Sequence, residues 1–419
     1  MKQLFKAKYM LPGSEWQPIS DPALLVEDGK IIYAGPLKEG MDYDEVHDLG
    51  KSMIMPSFAN THSHVAMTLM RGIGEQDDLH SWLGKVWNIE GKLKHEELVT
   101  GNVVGIGEML DSGITSFLDF YDIQPMVQAL KELNFPIRAK LALSFLDTVE
   151  YMKEESWKRV RNVDSYARQL SEHGIEMVLS PHSLYAVSEE LLVEIAKIRG
   201  YRVQIHLSET LEEDMLIKEK HGLRPVEYLK SVGLLRKGLI AAHAVHLNDE
   251  EIRQLATAGV NVAHCPSSNA RLGSGIANIS KMDELNMNVS LGTDGAGSSE
   301  VLDMFNEMKL AVMLSRASSA NTRINARKAL KMATLNGHGA LGIPAGYLGQ
   351  GMLADFIAVD LTRTRPSWDT VSSVVYQGGH HTVKDVIVGG KLVKENHRLI
   401  FEDKFEEHKS KLEDFMRGA

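Results

Sequence analysis

The feature that most constrains the fold is a repeated alternation, in the middle of the chain, between short apolar runs and stretches with helical periodicity. Residues 189–198, for example, carry apolar side chains at the i, i+3, i+4 and i+7 spacing of a helix face. Eight apolar runs are predicted to be strands, which end near Met55, Phe120, Phe145, Leu179, Ile205, Ala242, Ala263 and Leu291. Eight strands alternating with helices over roughly 290 residues predict an α/β fold, a (β/α)8 barrel of the TIM type.

An open, doubly wound sheet is the alternative, but no glycine-rich dinucleotide fingerprint follows any early strand, which weakens it. The two chain ends are β-rich instead of alternating. Asp28-Gly29 predicts a hairpin near the start, and Gly389-Gly390 predicts another near the end. We therefore expect one small β-sandwich built from both ends. Its first part is residues 1–55, the barrel is residues 56–346, and residues 347–419 form its second part plus a C-terminal helix.

Composition and charge argue against several classes of protein. The net charge is −10, whereas a general nucleic-acid-binding protein usually carries a basic face. No run of about 18 apolar residues is present to span a membrane, and the first residues lack the apolar core of a signal peptide. The single cysteine, Cys265, excludes an intrachain disulfide framework. We expect a cytoplasmic protein that binds neither nucleic acid nor membranes, and whose partner is a small-molecule substrate.

Residues with metal-binding or acid–base chemistry follow six of the eight predicted strand ends. The active site of a barrel enzyme lies at the carboxyl ends of its strands, so these positions test the barrel interpretation. The segments are His62-Ser63-His64, Ser180-Pro181-His182, His206-Leu207-Ser208-Glu209, His243-Ala244-Val245-His246, His264-Cys265-Pro266 and Gly292-Thr293-Asp294. Histidines scattered at random would not concentrate at these ends, and the pattern therefore favours a catalytic site.

The pair His62 and His64 predicts a metal site. Residues i and i+2 of a strand point to the same side, so both imidazoles can bind one ion while Ser63 faces away. A lone His-X-His pair is more often a turn or core pair, but His206 and Asp294 at other strand ends supply further ligands. Imidazole and carboxylate are common zinc ligands. We predict one divalent ion held by these four residues; zinc is favoured, and Fe2+ and Mn2+ stay open.

Two further residues at strand ends have candidate roles. Glu209 lies three residues beyond His206, where its carboxyl group can serve as a general acid–base toward the metal-bound water. The alternative for Glu209 is a glutamate at the protein surface. His243 is either a further metal ligand or a group that positions the water or the oxyanion, and the sequence leaves both roles open.

Taken together, these segments resemble the amidohydrolase superfamily. The marks are Thr61-His62-Ser63-His64, His206-Leu207-Ser208-Glu209, Ala242-His243-Ala244-Val245-His246-Leu247, His264-Cys265-Pro266-Ser267-Ser268-Asn269 and Leu291-Gly292-Thr293-Asp294-Gly295. Strand four ends in His182 instead of a lysine, which resembles the single-metal branch, because the two-metal branches commonly use a carboxylated lysine there. More narrowly, the chain resembles the methylthioadenosine/S-adenosylhomocysteine deaminase group, with its chlorohydrolase-like relatives, over nearly its whole length.

The resemblance implies roles for individual residues and a homo-oligomeric assembly. It assigns metal binding to His62, His64, His206 and Asp294. It assigns proton transfer and contact with the substrate ring to Glu209, and support of the attacking water or the intermediate to His243. Glu90 matches a glutamate that binds ribose hydroxyls, His182 matches a histidine that contacts the purine, and Trp82 falls where an aromatic residue lines the nucleoside pocket.

The third predicted strand departs from the pattern of the group. Members that accept S-adenosylhomocysteine can use arginines in and after strand three to hold the amino-acid carboxylate. Leu143 stands about where one such arginine is expected, and Asp147 adds an anion nearby. Because burying an unpaired carboxylate is costly, the sequence argues against S-adenosylhomocysteine as a good substrate.

We therefore expect a metal-dependent hydrolytic deaminase that releases ammonia from an adenosine-type nucleoside, such as 5′-methylthioadenosine or adenosine. The ion lowers the pKa of its bound water toward roughly 7, Asp294 accepts the water's proton, and Glu209 protonates a ring nitrogen of the substrate. One alternative keeps the site but acts on guanine or an aminotriazine, or displaces chloride. Another is a non-catalytic barrel scaffold; such relatives tend to lose metal ligands, and here none is missing.

Overall fold

The computed structural model describes residues 1–13, 15–148 and 150–418. Its strands are β1 (Lys2–Lys6), β2 (Tyr9–Met10), β3 (Ile19–Ser20), β4 (Pro22–Glu27), β5 (Lys30–Pro36), β6 (Glu45–Asp48), β7 (Ser52–Pro56), β8 (Phe58–His64), β9 (Ile114–Asp119), β10 (Arg138–Phe145), β11 (Glu176–Pro181), β12 (Arg202–Leu207), β13 (Ile240–His243), β14 (Asn261–His264), β15 (Asn288–Leu291), β16 (Asp294–Gly295), β17 (Phe356–Asp360), β18 (Val383–Val388), β19 (Lys391–Glu395) and β20 (Arg398–Leu399).

The helices between and after these strands are α1 (Leu79–Glu90), α2 (His95–Asp111), α3 (Ile123–Leu133), α4 (Glu150–Arg161), α5 (Val163–Ser171), α6 (Glu189–Lys197), α7 (Leu211–His221), α8 (Pro225–Ser231), α9 (Asp249–Ala258), α10 (Pro266–Arg271), α11 (Ile279–Glu284), α12 (Ala296–Ser299), α13 (Met304–Ser319), α14 (Ala326–Lys331), α15 (Gly337–Leu341), α16 (Thr370–Gln377) and α17 (Glu402–Gly418). A 3-10 helix, Val65–Met70, directly follows β8.

The central sheet closes into a barrel of parallel strands. Strands β8 to β15 pair in chain order, and β16 returns to pair with β8. β15 and β16 are two segments of one eighth strand, interrupted at Gly292 and Thr293. Two hydrogen bonds of the side-chain amide of Asn60 hold the interrupted segment against β8. Its Nδ2 donates to Thr293 Oγ1 (2.7 Å), and its Oδ1 accepts from the Thr293 backbone N–H (3.0 Å). The predicted (β/α)8 barrel is confirmed.

The first barrel strand differs from the one that the sequence predicts. The run ending near Met55 forms β7, which pairs antiparallel with β17 and parallel with β2 outside the barrel. The barrel begins instead with β8, so His62 and His64 lie within its first strand and not after it. The prediction is wrong because β7 and β8 are both buried and only Ser57 separates them, so the sequence does not show where the sandwich strand ends and the barrel strand begins.

The predicted sandwich of the two chain ends is also present. One sheet has the strand order β5-β4-β1-β6, and the other has the order β20-β19-β18-β17-β7-β2-β3. Apolar side chains from both sheets form a common core that includes Phe5, Leu24, Ile54 and Phe356. Each sheet buries its apolar face against the other, as a sandwich requires. The domain limits at residues 55/56 and 346/347 stay a prediction.

Several of the helices around the barrel begin at side-chain caps that the sequence encodes. Ser188 accepts a hydrogen bond from the Leu191 backbone N–H at the start of α6, and Asn248 caps α9 in the same way. The C-terminal helix α17 packs on α2 of the barrel, where Leu412 is buried and His408 Nδ1 lies 3.3 Å from Thr100 Oγ1. In the described parts of the chain, none of the helices combines the length and the apolar character needed to cross a bilayer.

Candidate active site

Four strand ends deliver histidine and aspartate side chains to one mouth of the barrel. His62 and His64 lie at the end of β8, His206 near the end of β12, His243 at the end of β13, and Asp294 on β16. His243 and Asp294 have φ angles of 68° and 58°, which are unusual for residues with a Cβ atom. Strained backbone of this kind concentrates at functional sites, since the surrounding structure must hold it in place.

The side chains of His62, His64, His206 and Asp294 lie close together. His64 Nε2 lies 3.3 Å from Asp294 Oδ1 and 3.3 Å from His206 Nε2, and His62 Nε2 lies 3.4 Å from the same Asp294 oxygen. Two ligands about 2.0–2.1 Å from one tetrahedral ion are themselves about 3.3 Å apart. The observed separations therefore match those of ligands that share a single ion.

The protonation states of these side chains at neutral pH also suit the binding of a metal cation. Burial lowers the pKa of His64 to about 3 and holds the pKa of His206 well below its usual value. Burial alone would raise the pKa of Asp294, but the neighbouring histidines, His62 first among them, hold it well below the usual range. At neutral pH the centre thus offers the neutral imidazoles of His64 and His206 and an ionised carboxylate. Among the described residues, neither ring nitrogen of His62 has a hydrogen-bond partner, which leaves a buried lone pair for a metal ion.

Neighbouring groups set the orientation of the ring of His206. Its Nδ1 donates to the backbone carbonyl of His182 at 2.7 Å, which directs Nε2 toward His64. A histidine that binds a metal typically donates its other ring N–H to such an acceptor. This tautomer is therefore the one that a metal ligand requires.

Glu209 and His243 lie next to this centre. His243 Nε2 is 3.6 Å from Glu209 Oε2, and His243 Nδ1 is 2.8 Å from Asn269 Oδ1. Burial raises the pKa of Glu209. Burial would lower the pKa of His243, but Glu209 and Asp294 reverse the direction and raise it. The arrangement pairs a proton-holding carboxyl group with an imidazole that can stabilise negative charge.

The position of His243 keeps both of its predicted roles open. The ring nitrogens of His62, His206 and His243 lie within 4.8 Å of one another, as do ligand atoms of His62, His64 and Asp294. His243 thus lies close enough to bind an ion, and also close enough to Glu209 to hydrogen-bond a reacting group.

A cavity of about 320 Å³ opens above these groups. Eight of the nine residues singled out from the sequence line it: His64, Trp82, Glu90, His182, His206, Glu209, His243 and Asp294. The ninth, His62, is fully buried beneath them. Glu90 and Trp82 come from α1, which forms one wall of the cavity, and His182 follows β11. Burial lowers the pKa of His182 to about 4, so its ring is neutral at pH 7.

Sequence reasoning missed several residues that support this centre. Ser268 Oγ donates to Asp294 Oδ2 at 2.6 Å, and Ser298 Oγ lies 3.2 Å from the same oxygen. Asn269 contacts His243, and Glu307 accepts hydrogen bonds from Ser267 at the start of α10. Ser268 and Asn269 belong to the segment after β14 that the sequence pattern marks, but nothing in that pattern shows which side chain each would contact.

Two more cavity residues were missed because they follow strands that end without a histidine. Tyr121 lies just after β9 and donates a hydrogen bond to Glu90. Arg159, on α4 after β10, lines the cavity, and its Nη1 donates to Ser144 Oγ at 2.8 Å. The only available signal was position, since both residues follow the ends of barrel strands.

A closed barrel with a histidine–aspartate centre at the carboxyl ends of its strands defines the class of barrel hydrolases that use a metal ion. The profile described as Amidohydrolase family matches residues 53–393, and the chain belongs to this family.

Curated relatives match nearly the whole chain. A 5-methylthioadenosine/S-adenosylhomocysteine deaminase of Pyrococcus abyssi is 34% identical, covering 96% of this chain and 95% of that protein. A 5′-deoxyadenosine deaminase of Methanocaldococcus jannaschii is 37% identical, covering 91% of this chain and 92% of that protein. These names support an enzyme that hydrolyses carbon–nitrogen bonds.

Solved structures share the architecture. An adenosine deaminase of Xanthomonas campestris with bound zinc is 28% identical, with a TM-score of 0.92 over 100% of this chain and 99% of that chain. A triazine hydrolase of Arthrobacter aurescens has a TM-score of 0.91 over 99% of both chains. Because its identity is only 22%, the second likeness shows the fold alone.

Proposed function

We propose that this protein is a hydrolytic deaminase of adenosine-type nucleosides that uses one divalent metal ion. The observation that carries the proposal is the placement of Glu209, whose buried carboxyl group lies 3.6 Å from His243 at the base of the cavity. Chloride can leave as an anion, whereas an amine must be protonated before it leaves, so a second proton-holding carboxyl group beside Asp294 suits deamination better. The deaminase names of the relatives from Pyrococcus abyssi and Methanocaldococcus jannaschii support the same reaction.

His62, His64, His206 and Asp294 would hold the ion. When bound, such an ion lowers the pKa of a water molecule toward roughly 7 and so supplies the nucleophile at neutral pH. Zinc is the ion that we infer, because three imidazoles and one carboxylate suit it well and a zinc-bound neighbour shares the fold.

The protein's own residues handle the protons. Asp294 accepts a proton from the attacking water, and Glu209 donates its proton to the ring nitrogen beside the amino-bearing carbon, which makes that carbon electrophilic. The oxygen of water bonds to this carbon, and His243 donates a hydrogen bond to it. Asp294 then passes its proton to the amino group, the carbon–nitrogen bond breaks, and ammonia leaves. The hydroxyl proton returns to Glu209, which leaves a ring carbonyl.

Three cavity residues would recognise the nucleoside. Glu90 would accept hydrogen bonds from the ribose hydroxyls, His182 would contact the purine through its neutral ring, and Trp82 would pack against the substrate. Their presence around one cavity of about 320 Å³ supports these roles, since small-molecule sites combine apolar walls with a few placed polar groups.

Residues of the cavity lining outside the metal centre support an uncharged 5′ substituent. Leu146 and Met152 contribute apolar surface to this lining, and Arg159 contributes a cation. This guanidinium is already engaged, because it donates to the carbonyl and hydroxyl oxygens of Ser144 and its Nε lies 3.3 Å from Glu155 Oε1. We infer that 5′-deoxyadenosine and 5′-methylthioadenosine are better substrates than S-adenosylhomocysteine, whose carboxylate would compete with Glu155 for the arginine.

Asp147, the anion that the sequence places near this position, is not among the residues that line the cavity. Both carboxylate oxygens of Asp147 accept hydrogen bonds from Ser188, at 2.7 Å from its backbone N–H and 2.5 Å from its hydroxyl. Asp147 therefore stabilises the start of α6.

An ammonia-release panel on zinc-loaded protein tests the proposal. The panel holds adenosine, 5′-deoxyadenosine, 5′-methylthioadenosine, S-adenosylhomocysteine, guanine and an aminotriazine, at equal concentrations. We expect kcat/KM to be highest for the two uncharged 5′-modified nucleosides. Release from guanine or the aminotriazine alone would contradict the proposed substrate class. Equal kcat/KM for S-adenosylhomocysteine would contradict the inference about the 5′ group.

We also infer a cytoplasmic location. The single cysteine, Cys265, is buried and unpaired, and a reducing compartment keeps such thiols reduced.

A further inference from the structure

The hydroxyl of Tyr121 joins two walls of the cavity. It donates a hydrogen bond to Glu90 Oε1 at 2.5 Å, across 31 positions of the chain. Glu90 is the last residue of α1, and Tyr121 lies two residues beyond the end of β9. Both side chains line the same cavity as His64. The bond therefore ties the helix that follows the first barrel strand to the loop that follows the second.

Glu90 occupies a position that is unfavourable for a carboxylate. It stands at the C-terminal end of the 12-residue helix α1, where the unpaired carbonyl groups and the helix dipole disfavour negative charge. Burial also raises the pKa of Glu90, and the hydrogen bond from Tyr121 acts in the opposite direction. A donor at this place is what an ionised Glu90 requires.

Tyr121 is suited to be that donor under all ordinary conditions. Burial and the neighbouring carboxylates hold the pKa of its phenol well above the usual value, so the hydroxyl keeps its proton. The phenol of Tyr121 donates one hydrogen bond. The other carboxylate oxygen and the remaining lone pairs of Glu90 therefore stay available as acceptors. A vicinal diol offers two donors that match these acceptors.

We propose that Tyr121 is a positioning residue that holds Glu90 as the acceptor for both ribose hydroxyls, and that it thereby makes the enzyme select nucleosides with an intact 2′,3′-diol. The inference rests on the proposed function, because it concerns recognition of the ribose by the same site. Tyr121 acts through Glu90 and needs no contact with the reacting atoms.

The experiment compares adenosine with 2′,3′-dideoxyadenosine as substrates of wild type and Y121F. The ratio of the two kcat/KM values measures selection of the diol. In Y121F we expect kcat/KM for adenosine to fall on the order of 10-fold, the usual scale for a lost hydrogen bond to a charged group. For the dideoxy substrate, which lacks the hydroxyls, we expect a change below about 3-fold.

Two further variants separate positioning from a general structural effect. Y185F removes another phenol hydroxyl from the cavity lining, one that interacts with Ser183 instead of Glu90, and we expect it to leave the ratio unchanged. E90Q should lower the ratio, and adding Y121F to E90Q should lower it no further, because the two residues act as one unit. An equal loss of Y121F toward both substrates would overturn the proposal.

Binding without turnover keeps the two hypotheses distinguishable. Calorimetry with inosine and 2′,3′-dideoxyinosine reports the same selection on the deaminated nucleosides. If wild type releases no ammonia from any nucleoside of the panel but still binds inosine more tightly than dideoxyinosine, the proposed reaction is wrong, and the ratio of these two affinities in wild type and Y121F still tests the role of Tyr121. If Y121F keeps the wild-type ratio of affinities, the role of Tyr121 is wrong whatever the reaction.

Discussion

Nε2 of His206 lies 3.3 Å from Nε2 of His64, although 142 positions separate the two residues in the chain. Both strands are parallel members of one closed sheet, so that their carboxyl ends meet at one mouth. Two neutral imidazoles at this distance carry no like charges that would repel each other, and their Nε2 atoms are close enough to bind one ion. The relationship is the geometric basis for placing a metal ion there.

The first prediction concerns metal content. Zinc-loaded wild type, freed of excess ion, is expected to hold about one equivalent, and H64A less than about half, because one ligand of the set is lost. Elemental analysis by mass spectrometry measures this directly. H397A, which removes a histidine beside Asp360 far from the cavity, should keep the wild-type content. A wild type that stays below half an equivalent after loading would favour the scaffold alternative.

The second prediction concerns Glu209. E209Q is expected to lower kcat by about 10²–10⁴, since it removes the proton that the ring nitrogen receives, while the metal content stays at the wild-type value. Steady-state ammonia release with the best substrate of the panel measures kcat. The matched control is E212Q, three positions along and exposed on the first turn of α7, which should be fully active. Near wild-type kcat in E209Q would rule out this residue as the acid.

The third prediction concerns the buried carboxyl group of Glu307. Burial raises its pKa to about 8, while the hydrogen bonds from Ser267 act in the lowering direction. The folded state therefore retains a proton that the unfolded state loses above about pH 4.3. Stability from this group is present at low pH and falls as pH rises toward 8, by at most about 1.4 kcal/mol per pH unit.

E307Q tests that linkage, because glutamine keeps an acceptor for Ser267 but does not titrate. The free energy of unfolding of wild type minus that of E307Q is expected to decrease from pH 5.5 to pH 7.5 in urea titrations. E212Q, at an exposed position, should show a constant difference from wild type. A difference for E307Q that does not change with pH would contradict the raised pKa.

The fourth prediction concerns the junction of barrel and sandwich. Asp355 is buried, and it accepts hydrogen bonds from Arg138 on β10 (Nη2, 2.9 Å) and from the Gly389 backbone N–H (2.8 Å). R138A leaves this carboxylate without its cation and is expected to cost about 3 kcal/mol of unfolding free energy. Chemical denaturation measures the change, and kcat per folded molecule should stay the same.

The control for this prediction is an exposed ion pair. R417A breaks the contact of Arg417 with Glu413 on the surface of α17, and it should cost less than about 1 kcal/mol. A similarly small cost for R138A would mean that Asp355 is solvated or protonated when Arg138 is removed.

Much of the fold and the centre of the site could be predicted from local pattern. The alternation of strands and helices, the hairpin at Asp28-Gly29 and the histidines at strand ends are properties of short segments, and parallel strands bring their ends together whatever the details. The i, i+2 relation of His62 and His64 needs only an extended backbone.

The misplaced first strand shows where local pattern stops. The runs ending at Met55 and His64 are adjacent and buried, and only their partners, β17 for one and β9 for the other, distinguish the sandwich strand from the barrel strand. Such pairing depends on residues tens to hundreds of positions away. The hydrogen bond between Tyr121 and Glu90 likewise joins residues that are far apart in the chain, and no spacing pattern in the sequence predicts it.

The sequence by itself determined which chemistry the chain carries, because residue types and their positions at strand ends are written in short segments. The tertiary structure decided which of these side chains face one another. It brought His206 next to His64, and it closed the barrel by pairing the eighth strand with the first at Asp294. It also bonded Tyr121 to Glu90. The physical reason is that contact geometry at this scale follows from the packing of the whole barrel, whereas strand and helix patterns follow from the backbone period of each segment.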